Sequence, residues 1–483
     1  MPSVKPIAFT ENTPAVAPLK IHWRLCQGGG DHNRSRATMQ SEAATALPDL
    51  KRQLEFARAA ERIGVDSLLV DFGYNKPDSI VLSTALGVWT EKIKLIVACR
   101  SGLMSPTVFV QQINTLSVLT QGRVALNIVA GHTPQEQRYY GDFMTHNQRF
   151  FRTGEYVAVC RALWRDGVEG EGVNFSGKYY RIKNAKLKTP FIGEAGVSET
   201  ASLTGTTAHR RPALFVAGSS VQAQVLAKKL GDIWVCVAEA PDALAEKIRD
   251  MRRCGVQVAL RLSIICRPTY GEAVAAAGRL LEQGERGEIE KQFVRHSDSI
   301  GIKRAYKQAA GGGSHWLTPC LWIGAVKTHG APSIALVGDP EQIVAAIMQY
   351  RQLGVSQLIL SGWPQYEEMC RFGKYIMPLI RERERKFLDT GNFIVSRCHV
   401  AFKLLCFTPG DPRADFPLAC DGSMRGGGGA TCIRGGERQA SRQGEYGGPQ
   451  PGLLVQPPGR LSTRRHDLRA GLGYRLYRLR PGW

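Results

Sequence analysis

Short apolar runs alternate along the chain with segments whose apolar residues recur every three or four positions. The runs are Leu19–Cys26, Val65–Val70, Ile93–Cys99, Val124–Ala130, Leu214–Val216, Ile233–Val237, Val256–Cys266 and Val355–Leu360. Each has the length of a strand buried on both faces. Between them, helical spacing covers 48–63, 77–89, 106–119, 147–165, 221–230, 241–254, 270–281 and 339–353, with a last helix ending near Phe387. Ser105 before Pro106 and Asp339 before Pro340 read as helix caps with proline at the first helical position, and Gly64, Gly122 and Gly231 as stops. Val173–Ile182 breaks the alternation and reads as a hairpin about Ser176 and Gly177, while Gly131–Thr145 reads as a long loop. Buried strands separated by helices imply an α/β fold with a parallel sheet, and eight such units imply a closed (β/α)8 TIM barrel. A doubly wound open sheet is the competing topology.

Three segments fall outside this pattern. Residues 1–18 are polar and read as a flexible lead, so the barrel domain spans 19–390. The stretch 283–333, charged and then glycine-rich at Gly311–Ser314, reads as an insertion. Residues 391–483 are about one quarter Gly and Pro, favour Arg over Lys and hold no hydrophobic period. They read either as a disordered basic tail or as coding sequence out of frame.

Charge changes the picture in one respect. The chain carries a formal +21, but residues 391–483 hold 14 Lys and Arg against 6 Asp and Glu, a net +8. The remaining +13, spread over the body, fits a solvated surface that favours anionic ligands, and nucleic acid is not an expected partner. The 12 cysteines form no Cys-x-x-Cys pair, as suits reduced thiols, and no metal site is expected. No run approaches the roughly 20 apolar residues that cross a bilayer, and 1–18 lacks a secretory signal, so no membrane association and a cytoplasmic location are expected.

In a barrel the ligand lies at the C-terminal strand ends. Those ends are Gln27, Asp71 with Tyr74 and Lys76, Arg100, Asn127 with Ala130, Gly218–Ser220, Arg261 and Trp363. They offer cations and hydrogen-bonding groups but no pair of acids for glycoside hydrolysis and no cluster for metal-assisted hydrolysis. Neither a Gly-x-Ser-x-Gly elbow nor a P-loop is present. Ala213–Ser220, a strand running through a glycine turn and hydroxyls into a helix, has the form of a phosphate seat.

An ordered set of segments then carries a resemblance. They are Arg100–Thr107, Gly122–Gly131, His146–Arg149, Ala217–Ser220, Ala335–Pro340 and Leu360–Pro364. Over about 20–386 the chain resembles the bacterial luciferase-like flavin monooxygenases, and among them the alkanesulfonate monooxygenase branch. Residues 192–209 stand as an extra insertion. The resemblance implies a (β/α)8 barrel that takes reduced FMN (FMNH2) from a separate NAD(P)H-dependent flavin reductase. Oxygen adds at the flavin C4a, and the resulting peroxyflavin oxygenates a small organic substrate, in that branch a sulfonate cleaved to aldehyde and sulfite. O2 is the cosubstrate, and a homo-oligomer is expected. An F420-dependent oxidoreductase of the same superfamily and a non-catalytic flavin-binding partner subunit are the alternatives.

Carried over by position, the resemblance implies that Gly218, Ser219, Ser220, His146 and Arg149 hold the FMN phosphate. Phe150 stands where the family commonly has Tyr. Asn127, Ala130 and Glu136 would lie by the isoalloxazine and ribityl, with Asp71 and Arg100 near the ring. The substrate side departs from the branch. Lys76 falls at its active-site Cys, Gln27 at its first-strand His and Ser263 at a further His. His329 falls near its mobile-loop Arg and Trp363 at its Tyr, while Arg261 is retained. Arg261, Lys76, His329 and Trp363 are therefore the candidates for substrate chemistry. The stretch 298–333, hinged at Gly311–Ser314, is the expected lid.

Overall fold

The computed structural model describes residues 17–27, 48–167, 170–193, 211–282, 297–311, 313–330 and 333–389. Most of the lead, the loop after Gln27, nearly all of the 192–209 insertion and the tail 391–483 lie outside the described residues.

Eight parallel strands close on themselves in the order β1 (Lys20–Arg24), β2 (Ser67–Val70), β3 (Lys94–Arg100), β4 (Val124–Val129), β7 (Ala213–Ala217), β8 (Ile233–Val237), β9 (Gln257–Cys266) and β12 (Gln357–Gly362), the last pairing back to β1. Helices fill the intervals: α1 (Leu50–Ile63), α2 (Ser79–Val88), α3 (Pro106–Leu119), α5 (His146–Asp166), α6 (Val221–Leu230), α7 (Pro241–Arg253), α8 (Tyr270–Glu282) and α11 (Pro340–Leu353). The chain is thus a (β/α)8 barrel, and the open-sheet topology does not form. Strands β5 (Val173–Ser176) and β6 (Arg181–Ala185) make the expected hairpin.

Two segments differ from the sequence reading. The loop 131–145 contains α4 (Pro134–Tyr139), a turn and a half opened by proline and too short to show a period. The described part of the insertion contains α9 (Ile300–Ala310), β10 (Leu321–Trp322) and α10 (Val326–His329), followed by β11 (Ala335–Gly338) on the long upper half of β9. Residue 312, inside the expected hinge, is outside the described residues.

Side-chain alternation sorts the strands into two layers. Odd positions of β1 (Ile21, Trp23) join the outer core under the helices, and His22 and Arg24 turn into the lumen. The lumen is filled by Leu69, Ile96, Ala98, Ala125, Phe215, Val235, Ala259 and Ile359. This apolar plug separates the two mouths. At the N-terminal mouth a cleft of about 420 Å³ is lined by Lys20, Asp66, Lys94, Asp232 and Gln357 among others.

His22 sits at the plug's lower edge, 2% exposed, edge-on to Phe215 and 2.8 Å from Gln357 Oε1. Burial lowers its pKa to about 4, against the pull of Gln357 and Asp66. Between the ordinary histidine value of about 6.5 and that lower one, the unfolded chain binds a proton the folded chain refuses. Stability therefore falls as pH drops through this window, by up to about 3 kcal/mol. In urea unfolding at pH 7, 5.5 and 4.5, His22→Asn should lose less stability toward low pH than the wild type. A constant difference between the two chains at all three values would remove His22 as the cause.

Candidate functional site

The C-terminal strand ends gather two clusters of charge. The first is centred on Asp71, just past β2. Its Oδ2 receives Arg24 Nε from β1 and Lys76 Nζ at 2.6 Å. Burial opposes ionisation of Asp71, but Arg24 and Lys76 outweigh it and hold the carboxyl well below the usual range. Gln27 clamps the same strand end, its amide pairing both ways with the Asp71 backbone at 2.7 and 2.9 Å. Its role there is structural. Arg261, on the neighbouring inner face of β9, donates to the Ile359 carbonyl at 3.1 Å and to Ser361 Oγ at 3.1 Å. Ser263 Oγ lies 2.8 Å from the same hydroxyl. Burial and the charge of Arg24 lower Arg261 to about 9, so it stays protonated at neutral pH. Arg24 and Lys76 thus contact Asp71 directly, and Arg261 lies close enough to feel the charges of Arg24 and Asp71.

The second cluster surrounds Arg100 at the end of β3. Its Nη2 meets Glu136 Oε2 from α4 at 3.0 Å, and Glu136 Oε1 accepts from the Tyr74 backbone N–H at 3.0 Å. The guanidinium stacks against Phe72 (4.8 Å) and Tyr140 (5.4 Å). The Arg100 side chain is 3% exposed, yet its Nε and Nη1 have no hydrogen-bond partner among the described residues. Asn127 Oδ1, inward on β4, is likewise buried and unsatisfied. Buried donors and acceptors without partners are costly, and a ligand that pairs with them recovers that cost. The edge of an isoalloxazine, with its carbonyls and ring nitrogens, offers such partners, so this end of the site fits a flavin ring.

The expected phosphate end is built as its sequence implies, but it is not open. Gly218 turns the chain at φ +143°, and a Cβ there would come within 2.6 Å of Ala223. Only glycine fits. Trp234 Nε1 fixes the Gly218 carbonyl at 2.8 Å. Ser220 caps α6 through the Ala223 N–H at 3.2 Å. The segment 297–310 covers this turn. A Cβ built on Gly301 would lie 2.9 Å from Ser219 Oγ, and the crevice left between Ser219 and α9 measures about 10 Å³, room for one water. Arg149, 1% exposed, donates to the carbonyls of Ala130 (3.2 Å) and Met144 (2.7 Å) and pairs with Asp298.

The remaining candidates are placed as follows. His146, next to the Thr145 cap of α5, contacts Asn147 and packs on Phe150 with ring centroids 4.8 Å apart. Phe150 itself packs against the outer core rather than into the lumen. No described contact carries either one to Ser219. His329 and Trp363 meet edge to face at 5.3 Å, and Trp363 packs on the small cluster around Trp322 beside β11. Sequence reasoning missed Arg24, Phe72, Tyr140 and Asp298. The alternation Lys20, His22, Arg24 on β1 marks Arg24 as inward, whereas nothing local in the sequence marks Asp298.

Comparison with known proteins agrees with this architecture. The chain is similar to the solved structures of riboflavin lyase RcaE with modified FMN and riboflavin (17% identity, TM-score 0.59, 79% of this chain and 98% of that one) and EDTA monooxygenase EmoA from Chelativorans sp. BNC1 (16%, 0.58, 77% and 98%). It is also similar to an F420-dependent secondary alcohol dehydrogenase in complex with an F420–acetone adduct (18%, 0.52, 76% and 100%). At such identities the likeness is one of fold. A family model, described as luciferase-like monooxygenase, matches residues 30–357, well over half of the sequence. The chain belongs to the luciferase-like monooxygenase family.

Proposed function

We propose that the protein is an FMNH2-dependent monooxygenase acting on a small anionic organic molecule, with alkanesulfonates the first class to test. The observation that carries the substrate side is the gathering of Arg24, Lys76 and Arg261 near Asp71, with Arg261 held buried at the inner face of β9. A part-buried strand end that gathers several cations gains from an anionic ligand, and a guanidinium fork suits the oxygens of a sulfonate or carboxylate. On the cofactor side, Arg100 and Asn127 carry the unsatisfied atoms that would orient the flavin ring. When bound, reduced FMN supplies the two electrons with which one atom of O2 enters the substrate and the other leaves as water.

The chain's own groups would position and shield that reaction. Arg261 and Lys76 would hold the substrate's anionic end. Trp363 and His329 would wall the opposite side with aromatic surface. Helix α9 and its flanks, lying over the β7 turn, would limit water. An NAD(P)H-dependent flavin reductase is the proposed source of the reduced cofactor. A homo-oligomer is proposed because Val81, Val88 and Trp89 on or next to α2, and Val108, Val118 and Leu119 on α3, expose apolar surface.

The test is turnover with a flavin reductase, NADH, FMN and O2 over a panel of alkanesulfonates and carboxylates of matched length, reading product mass and released sulfite. Oxygenated product from an anionic substrate, absent with its neutral isostere, is the expected result. If product forms only with reduced F420 as the partner, the deazaflavin alternative replaces this reading. Arg261→Met should raise KM for the anionic substrate about 10-fold or more, the worth of one charge-assisted hydrogen bond, while flavin affinity stays within about 2-fold. Arg100→Lys keeps the charge opposite Glu136 but loses the fork. It should weaken flavin binding by roughly 10-fold in fluorescence titration, with little change in melting temperature.

A further inference from the structure

The phosphate end of the flavin site holds an anion that belongs to the chain itself. Arg149 is among the most buried charged residues of the protein, and all three of its guanidinium nitrogens are engaged. Two contacts go to carbonyls at the β4 end and before α5. The third goes to the carboxylate of Asp298, 149 residues further along the chain. Among the described residues that carboxylate is incompletely satisfied, because its buried Oδ1 finds no partner there. Its backbone is fixed by the Asp298 N–H to the His132 carbonyl at 2.9 Å, with Ser297 Oγ donating to the same carbonyl at 3.1 Å. Three residues on, Gly301 rests on Ser219. One short segment therefore engages both of the groups that would receive a phosphate, Arg149 through a carboxylate and Ser219 through backbone contact. Ser299 caps α9 at this point, and Arg304 ties the helix to Glu239 beyond β8 at 2.8 Å.

We propose that Asp298 is a specificity determinant of the flavin site: its carboxylate occupies the anion position on Arg149 and competes with the flavin phosphate for it. This rests on the flavin reading above. The phosphate of FMN enters by exchange with Asp298, not by addition to a vacant cation. Much of what Arg149 would contribute to FMN over riboflavin is cancelled by the pair it must give up. Removing the carboxylate removes the competitor and leaves Arg149 in need of an anion.

Full-length wild type, Asp298→Asn, Asp298→Ala and Asp298→Glu are titrated with FMN and with riboflavin by flavin fluorescence at fixed ionic strength. Wild type and Asp298→Glu should bind the two flavins within about 3-fold of each other. Asp298→Asn and Asp298→Ala should bind FMN at least 10-fold tighter than wild type while riboflavin moves less than about 2-fold. Equal shifts for both flavins, or none, overturn the proposal, since a merely structural Asp298 would move both together. A second measurement does not depend on flavin. Inorganic phosphate at constant ionic strength should raise the melting temperature of Asp298→Ala but not of wild type. Adding Arg149→Met to Asp298→Ala should abolish the rise. If no flavin binds any chain, the flavin reading fails while the phosphate series still decides the role of Asp298. Absence of phosphate stabilisation in Asp298→Ala decides against it.

Discussion

A guanidinium taken almost wholly out of water must have an anion beside it, and Arg149 shows how far that requirement reaches. Leaving such a charge unpaired would cost several kcal/mol, a large part of the stability of a typical domain. The chain meets the demand by bringing Asp298 across the mouth of the barrel, and with it the segment that leads into α9. The same side chain holds the end of β4 through Ala130 and the approach to α5 through Met144. One buried charge thus fixes three stretches that are remote in sequence. The position of α9 over the β7 turn follows from it, as does the narrowness of the crevice at Ser219. Any anionic ligand meets a mouth whose charge is already balanced at this edge.

Elsewhere at the same mouth cations gather. Arg24, Lys76 and Arg261 lie above a plug of aliphatic and aromatic side chains that keeps water out of the barrel centre. In such surroundings their attraction for an anion is screened far less than on the surface. Arg261 feels this most directly: burial and a neighbouring cation make its charge less comfortable, and an anion placed between them relieves both. Arg100 is balanced in charge by Glu136 yet unbalanced in hydrogen bonds. The cations around Asp71 and the unmet hydrogen bonds of Arg100 thus lie at adjoining strand ends, with Lys76 and Glu136 both within 4 Å of the Cβ position of Gly73. The reaction proposed would use that adjacency, with the anionic substrate held next to the edge of the flavin ring.

The fold was legible because barrel strands are buried on both faces. All eight apolar runs became barrel strands, with boundaries within a few residues. Caps such as Ser105 and Asp339 were equally readable, since a side chain that accepts from an N–H three residues on is a local event. Apart from α9, eleven residues inside the stretch read as an insertion, the regular parts that escaped were short. Helix α4 has six residues and β11 four, less than the length over which a period shows. The site was legible only one side at a time. Position at a strand end marks Asp71, Arg100 and Arg261 as lumen residues, but it does not say what each will meet. Asp298, at the edge of a charged and glycine-rich stretch, had no local mark, because its role is set by a contact across the barrel.

That difference between position and partner separates the candidates more sharply than residue type does. Gln27, at a strand end and rich in hydrogen-bonding capacity, spends both amide atoms on the backbone of Asp71. Arg123, inside a segment that carries the family resemblance, donates to carbonyls of Gly87, Thr90 and Ile93 and so ties α2 to β3. Both are polar and buried, and the fold itself accounts for both amide atoms of Gln27 and both terminal nitrogens of Arg123. Arg100 and Asn127 are as buried by atom, and the folded chain leaves part of their capacity unmet. Folding selects against such deficits, because each costs more than the average hydrogen bond returns. Where two of them converge on one mouth of a barrel, a bound partner is the simplest physical reason for their survival.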